Sequence, residues 1–403
     1  MACSCRSGTV GNADHLVDGA DIRLQHSVKT QTHSLLIQAV FGLAIVGMLA
    51  MFATSAQNHL AREHIANGFD FLWMPAGWDV GSSLITHSDS DPYWRIFLVG
   101  LLNTLLISAI CIVLATVLGF LLGFLASVDN PLIAGVSFLY INTVRNIPQI
   151  LQVFFWYHVT HQLPPVRQSI SLFDTVFLNN RGLYAPQFRI ENGLPWLMLM
   201  TLLLLLFGSK AIRDKFTQVA RNLGAPPVFA GIALLALIAA SSFAFLPIAI
   251  SIVVPRLTSF DFTGGLVFSP EFVALNTAIV LYNIAFIAEI VRAGIRSVPR
   301  GQTEVARSLG LSSLGIFLTI TLPQALRLMI PPLTNQYISI AKSTSLGVAI
   351  GYSELFSVVT IAINHTGQSF ENIAILMTVY LTLSVVLSGI GEWLSWALRW
   401  PGR

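Results

Sequence analysis

A few charged and polar side chains interrupt long apolar stretches of this sequence, and their types suit ionic recognition. Glu289 and Arg292 lie three residues apart, a spacing that a helix places on one face. They could pair with each other, or Glu289 could meet the amino group of a small molecule. Because an ionisable group inside a bilayer is costly, it usually faces protein or water. Both interpretations therefore place this pair away from lipid.

Three further places carry polar groups in apolar surroundings. Arg145 could attract a carboxylate or fix the end of a helix, and Asn283 could hydrogen-bond a ligand or a neighbouring helix. Lys342, Ser343 and Thr344 lie where a long apolar stretch is interrupted. Backbone and hydroxyl groups at such a break can coordinate a zwitterion, although a lysine there can also extend to the membrane surface. These residues, with Glu289, are the candidates for a substrate path.

Other kinds of chemistry have no support in the sequence. It contains no phosphate-binding loop of the Gly-x-x-x-x-Gly-Lys-Ser/Thr type, no Gly-x-Ser-x-Gly turn and no His-Glu-x-x-His helix. Its cysteines are Cys3, Cys5 and Cys111, without a second ligand pair for a metal. We therefore predict no catalytic residue, no metal site and no cofactor held by this chain.

Composition indicates the environment of the protein. The chain has 403 residues, of which 54% are hydrophobic and 10% charged, and its mean hydropathy is +0.72. Soluble domains are usually about a quarter charged. The chain therefore belongs in a membrane, and its small net charge of +3 suggests no nucleic-acid surface.

Apolar stretches long enough for membrane spans recur along the chain. The predicted crossings are eight, at 34–54, 96–126, 134–160, 194–208, 228–250, 271–294, 319–361 and 372–396. The seventh is too long for a simple helix, and we expect breaks at Pro331-Pro332 and at Lys342–Ser345. Most basic residues between the spans fall on one side when both termini are cytoplasmic. The loops on the opposite side contain Trp73, Trp78 and Tyr184, which could touch an external partner or pack at the membrane interface.

A short polar stretch at 299–310 separates two long apolar stretches and predicts a cytoplasmic helix. Gly301 and Gln302 open it, and Glu304 lies near its N-terminus, where an acidic side chain is favourable. Gly310 can adopt the left-handed conformation that ends many helices.

The surface of this predicted helix suits a protein partner. Val305 and Leu309 are four residues apart and share a face. Ala306 keeps the surface low, so that a partner's backbone could approach closely. A loop between membrane helices can also carry an amphipathic turn with no partner, and both interpretations fit these residues.

The spacing of this stretch resembles that of a known family. Glu304-Val305-Ala306, Gly310, Ile320 and Leu322-Pro323 follow the pattern Glu-Ala-Ala, three residues, Gly, nine residues, Ile-x-Leu-Pro, with Val305 as the departure. This is the docking loop of permease subunits in bacterial ATP-driven importers. Residues 95–160 and 270–395 resemble the polar amino-acid branch of those permeases. An insertion at 161–269 is similar to that of the larger permease subunit of general L-amino-acid importers.

The resemblance implies an all-α integral membrane protein with the type I ABC importer transmembrane fold and about eight transmembrane helices. It implies a cytoplasmic N-terminal segment at 1–33, a first helix and extracytoplasmic loop at 34–94, a transmembrane domain at 95–396 with an inserted helical pair at 161–269, and a cytoplasmic tail at 397–403. The ATPase-coupling residues that it implies are Gly301, Gln302, Glu304, Ala306, Arg307, Gly310 and Pro323.

The resemblance also implies partners and a role. The chain would be a non-enzymatic permease in the bacterial inner membrane that takes up amino acids, with broad specificity, by alternating access. ATP and Mg²⁺ would bind a partner ATPase dimer. A second homologous permease subunit would complete the pore as a heterodimer, and an extracytoplasmic amino-acid-binding protein would deliver substrate.

Two other functions remain possible from the residues alone. An ion-coupled secondary amino-acid transporter could use Lys342 and Glu354, which lie near the interrupted span. A structural membrane scaffold would need neither an ion site nor an ATPase.

Overall fold

The computed structural model describes residues 68–81, 83–191, 249–258 and 261–397, together with residues 40, 43–44, 47–48, 51, 54–55 and 218. The chain divides into two compact units, Met1–Gly68 and Phe69–Arg403. In the first unit, the described residues between 40 and 55 are helical and fall within or next to the first predicted span. The predicted N-terminal segment at 1–33, the tail beyond Ala397, the crossing at 194–208 and all but the end of the crossing at 228–250 lie outside the described residues.

Helices form most of the second unit. They are α1 (Tyr93–Leu125), α2 (Pro131–Asn146), α3 (Gln149–His161), α4 (Pro270–Arg296), α5 (Arg300–Ser308), α6 (Ser313–Ile316), α7 (Leu322–Ser343), α8 (Leu355–Thr366) and α9 (Ser369–Ala397). A π-helical turn joins α6 to α7, and a 3₁₀ helix follows α7 at Thr344–Ile350. Within the described ranges, the helical stretches long and apolar enough to cross a membrane are Tyr93–Leu125, Pro270–Arg296, Ser313–Ile350 and Ser369–Ala397.

The crossing predicted at 134–160 is wrong as a single helix, because the chain breaks between α2 and α3. Ile147 has an extended backbone with ψ of 122°, as expected before Pro148, which disfavours helical geometry in the preceding residue. The side chain of Gln152 donates to the carbonyl oxygens of Val144 (3.2 Å) and Ile147 (3.4 Å). The Gln152 side chain therefore satisfies two backbone acceptors at the break.

The long apolar stretch at 319–361 breaks at one of the two places expected. Pro331 and Pro332 lie inside α7, so the predicted break there is wrong. Prolines are tolerated inside membrane helices where neighbouring groups satisfy the freed carbonyl groups, which here are those of Arg327 and Leu328. The second break is present, because α7 gives way to the 3₁₀ helix at Thr344 and that helix ends at Gly351, whose φ is +80°.

Short strands occupy the described ends of the insertion, which the sequence did not predict. They are β1 (Ile170–Leu172), β2 (Val176–Asn179), β3 (Gly182–Ala185), β4 (Gln187–Glu191), β5 (Ala249–Val253), β6 (Arg256–Leu257), β7 (Phe262–Thr263) and β8 (Leu266–Phe268). One antiparallel sheet has the order β1-β2-β3-β8, while β4 pairs with β5 and β6 pairs with β7. Because β8 runs directly into the Ser269 cap of α4, this sheet lies at the N-terminal end of that helix.

The core of the second unit lies where α1, α4 and α7 pack together. Two glycines of α1 allow a close approach to α4. A Cβ atom at Gly119 would lie 2.6 Å from Ile287, and one at Gly123 would lie 2.6 Å from the Ala288 carbonyl oxygen. Small residues permit this in membrane helices, where packing rather than hydrophobic exclusion drives association. Their successive contacts also show that α1 and α4 run parallel.

Candidate functional site

The helix α5 is closed at its C-terminus by a Schellman motif. Gly310 has φ of +82°, its N–H donates to the Arg307 carbonyl at 3.0 Å, and the Leu311 N–H donates to the Ala306 carbonyl at 3.2 Å. These two bonds satisfy carbonyl groups that the end of a helix leaves without partners. The predicted helix and its glycine cap are therefore present in the structure.

The outer surface of α5 is polar with two apolar side chains. Val305 is 62% exposed and Leu309 is 77% exposed. The predicted coupling residues exposed beside them are Gly301, Gln302, Glu304, Arg307 and Gly310. An exposed apolar pair within a polar rim has the composition of a protein-binding surface.

The interpretation of Ala306 as a low point on the outer surface is wrong. Ala306 is only 3% exposed, so it faces the protein's own chain rather than a partner. Its small side chain instead allows α5 to lie against the residues that follow it.

A hydrogen bond connects α5 to the beginning of α7. The Gln324 side-chain amide donates to Gln302 Oε1 at 2.6 Å and to the Ile320 carbonyl at 3.0 Å. Pro323 is half-buried in the first turn of α7. Just before it lies the π-helical turn Phe317–Thr321. The order of elements therefore runs from α5 through α6 and a π-helical turn into a membrane span.

Charged candidates cluster around the C-terminal half of α4. Arg292 donates to both carboxylate oxygens of Glu289, and its guanidinium lies 4.6 Å from the centre of the Phe138 ring. Arg145 lies 5.1 Å from the centre of the Phe286 ring and within electrostatic reach of Glu289. Bidentate pairing and stacking on aromatic rings are the contacts that arginine makes best. The structure thus brings Arg145 and Glu289 into one neighbourhood between α2 and α4.

A separate set of neutral polar groups follows one face of α7. Buried Asn283 donates to the Ile279 carbonyl at 2.7 Å and accepts from the Gln336 amide. Seven residues further along α7, the Ser343 hydroxyl donates to Gln149 Oε1 at 3.1 Å. Seven residues are two helical turns, or about 10 Å along the axis. Asn283 and Ser343 therefore lie along one polar seam, which we define as Asn283, Gln336, Ser343 and Gln149.

The other two candidates near the break in the helix lie apart from this seam. Lys342 is exposed, whereas Thr344 is buried and its hydroxyl donates to the Ala341 carbonyl at 2.9 Å. Glu354 is fully buried and caps α8 by accepting from the N–H groups of Phe356 (2.9 Å) and Ser357 (2.7 Å). The carboxylate of Glu354 is therefore occupied by the backbone of its own helix.

Three glutamines were missed as candidates by the sequence analysis. Gln324 donates a hydrogen bond to Gln302, Gln336 donates one to Asn283, and Gln149 accepts one from Ser343. The Nε2 group of Gln149 is buried and has no hydrogen-bond partner among the residues that the structure describes. Only Gln149 carried a usable signal, because it follows Pro148 at the start of a helix.

Comparison with known proteins gives consistent matches over most of the chain. Residues 115–399 match the family described as the binding-protein-dependent transport system inner membrane component. The permease protein YhdX of Escherichia coli K12 is 42% identical over 361 residues, covering 88% of this chain and 91% of that protein. The general L-amino acid transport system permease protein AapQ of Rhizobium johnstonii is 39% identical, covering 89% and 90%. The glutamate/glutamine/aspartate/asparagine transport system permease protein BztB of Rhodobacter capsulatus is 34% identical, covering 90% and 92%.

These matches confirm the resemblance that began with the spacing around Gly310. They also confirm the predicted fold class, with the small sheets as an addition to a mainly helical membrane protein. The chain belongs to the family of inner-membrane components of binding-protein-dependent transport systems.

Proposed function

We propose that this chain is the permease subunit of an ATP-binding-cassette importer that takes up amino acids with broad specificity. The helix α5 is the observation that carries the coupling role, because it presents Val305 and Leu309 on a rigidly capped support. AapQ and BztB match most of this chain, and their names, which refer to amino-acid transport, support amino acids as the cargo.

The coupling residues would transmit force from partner subunits. A dimeric ATPase holds ATP and Mg²⁺, and its surface receives α5 on the cytoplasmic side of the membrane. The hydrogen bond that Gln324 donates to Gln302, and the continuous helical path through α6 into α7, carry the displacement to a span. A second homologous permease forms the other half of the pore, an extracytoplasmic binding protein delivers the substrate, and both chain termini lie in the cytoplasm. Transport then follows from a shift between two access states that ATP biases.

The substrate would move past the polar seam between α3, α4 and α7. The unpartnered Nε2 group of Gln149 can donate to a carboxylate, and the Ser343 hydroxyl is its neighbour. Lys342 and Thr344 lie at the break beside them, while Arg145 and Glu289 lie closer to the C-terminal end of α4. An amino acid carries a carboxylate and an ammonium group, so a path that offers hydrogen-bond donors in one region and charged side chains in another suits it.

An ion-coupled secondary transporter has weaker support. It requires a carboxylate with free coordination sites, and Glu354 already accepts hydrogen bonds from Phe356, Ser357 and the hydroxyl of Tyr380. Uptake into vesicles by an imposed ion gradient without ATP would favour this alternative.

The decisive experiment exchanges charge on α5. Glu304→Lys should lower ATP-dependent amino-acid uptake and weaken co-purification of the ATPase, because it reverses the charge of an exposed side chain beside Val305. Asp129→Lys is the matched control, since it makes the same charge change at an exposed residue between α1 and α2, on the same side of the membrane. Equal uptake and equal ATPase recovery in the two variants would contradict the proposed function.

A further inference from the structure

The sheet β1-β2-β3-β8 has one face made only of apolar side chains. Residues directly opposite in antiparallel strands share a face, so the pairs Ile170–Leu178, Leu178–Leu183 and Leu183–Phe268 define it. We call this the apolar face, and it consists of Ile170, Leu172, Val176, Leu178, Leu183, Ala185, Leu266 and Phe268. None of these residues is buried, and Ile170, Leu172 and Leu266 are 45%, 49% and 42% exposed.

The opposite face of the sheet is packed and carries charge. Phe177 and Tyr184 contact the Phe262 ring, with ring centres 4.6 and 4.8 Å apart. The carboxylate of Asp261 accepts from the Tyr184 hydroxyl and pairs with Arg181 at 3.1 Å. The sheet is therefore amphipathic, although Val267 is an exposed apolar residue on its charged side.

The apolar face is turned toward the membrane helices. The Phe268 ring, which belongs to that face, stacks on Phe272 in the first turn of α4 with ring centres 4.8 Å apart. Neighbouring strands are about 4.8 Å apart, so β1 lies roughly 14 Å from β8. The outer strands β1 and β2 therefore lie beyond the contact between Phe268 and Phe272, with their apolar side chains on the same face as Phe268.

Exposed aromatic residues also lie at the same end of a neighbouring span. Trp94 is in the first turn of α1, which runs parallel to α4, so both helices begin at the same side. Trp73 lies 6.3 Å from it, and the two are 76% (Trp73) and 42% (Trp94) exposed. Tryptophan is enriched at the boundary between membrane and water. The beginning of these spans is therefore marked by aromatic side chains independently of the sheet.

The tip of the β1–β2 hairpin presents another large aromatic residue. Phe173 and Asp174 lie in the three-residue loop 173–175 with φ of +54° and +52°, a conformation that usually selects Asn or Gly. The Phe173 side chain is 93% exposed. A phenylalanine at this position gains nothing from the fold that the structure describes, so its value lies in what it meets outside.

We propose that the apolar face and Phe173 lie in the headgroup and upper acyl region of the lipid bilayer. Lipid fits this face better than a protein partner does, because its side chains contain no hydrogen-bond donor or acceptor, whereas protein interfaces carry about one hydrogen bond per 100–200 Å². An amphipathic element next to a span lies in the interface with its charged side toward water. The sheet then anchors the base of the insertion to the membrane surface, a role beyond the proposed transport function and independent of it.

Spin-label accessibility in the assembled transporter tests this placement. Single cysteines replace Leu172, Phe173 or Ser171 in a chain whose Cys3, Cys5 and Cys111 are changed to alanine. The labelled complex is reconstituted in vesicles of phosphatidylethanolamine and phosphatidylglycerol. Labels at 172 and 173 should collide several-fold more often with oxygen, which enters lipid, than with a water-soluble nickel chelate. Ser171 is the matched control, because it is an exposed residue of the same strand on the opposite face.

Each other outcome overturns the proposal. Preferential collision of the labels at 172 and 173 with nickel would place the face in water. Protection from both reagents would mean that protein covers it, and release of that protection on omitting the binding protein would identify that subunit as the cover. Recovery of the intact complex by size-exclusion chromatography separates these outcomes from misfolding.

Discussion

Replacing Gly310 by alanine tests whether the cap of α5 depends on a left-handed glycine. A Cβ atom there would meet no atom within 4 Å, so the change introduces no clash. Its effect must come from the backbone, because φ of +82° is unfavourable for a residue with a side chain. The two cap hydrogen bonds, from the N–H groups of residues 310 and 311, are the structure at risk.

The expected cost is about 1–2 kcal/mol, the penalty for an L-residue in the left-handed conformation. If residue 310 left that conformation, the two cap hydrogen bonds would break, and each is worth about 0.5–1.5 kcal/mol. Keeping the left-handed backbone and abandoning it therefore cost similar amounts of free energy. A nine-residue helix has little stability of its own to absorb such a loss. A change of this size raises the fraction of opened cap roughly 5–30-fold.

Hydrogen exchange in the purified complex measures this effect directly. Peptides covering 306–311 should lose protection in Gly310→Ala, while the membrane spans keep theirs. Gly301→Ala is the matched control, because Gly301 lies in the first turn of α5, its φ is not left-handed, and an added Cβ there would meet no atom within 4 Å. Equal protection of 306–311 in Gly310→Ala and the unmodified protein would refute this account of the cap.

Two further predictions concern buried and exposed polar contacts. Gln336→Leu should lower the thermal midpoint of the complex in detergent, because it leaves Asn283 Oδ1 buried without its donor at a cost of about 1–3 kcal/mol. Adding Asn283→Leu should recover part of that loss, and a double variant less stable than Gln336→Leu would count against the pairing. The backbone N–H of Phe262, the Tyr184 hydroxyl and Arg181 hold the pKa of Asp261 below its usual 3.8, so its ionised form stabilises the fold. That contribution to stability is present above pH 3.8 and is lost as the pH falls through the lowered pKa. Acid should therefore increase hydrogen exchange at residues 261–263 in the unmodified protein, and Asp261→Asn should remove this increase. An identical increase in both proteins would argue against the prediction.

The spans could be predicted from sequence where length and apolarity alone decide. The stretches at 96–126, 271–294 and 372–396 agree with α1, α4 and α9 to within a few residues. The two errors come from proline, whose effect depends on its surroundings. Pro148 ends a helix because Ile147 becomes extended, whereas Pro331 and Pro332 remain inside one. Local sequence does not specify whether neighbouring groups will satisfy the freed backbone.

The candidate site was predictable in its local parts. Gly310 follows a nine-residue polar helix, so a left-handed cap is a local property of the sequence. The orientation of Ala306 was not predictable, because it depends on how α5 folds back on the residues after it. The bond between Gln336 and Asn283 joins positions 53 apart, and no short-range pattern reports it.

The π-helical turn Phe317–Thr321 stores an extra residue between α5 and the span that follows. If that turn tightens into ordinary α-helix, the surplus residue must pass into its neighbour, turning the adjoining segment by about 100° and shifting it by about 1.5 Å. Such a shift replaces one set of intrahelical hydrogen bonds by another, and the helix does not have to unfold. If α5 couples to a partner ATPase as proposed, this turn would convert a push on α5 into a rotation of the span that follows it.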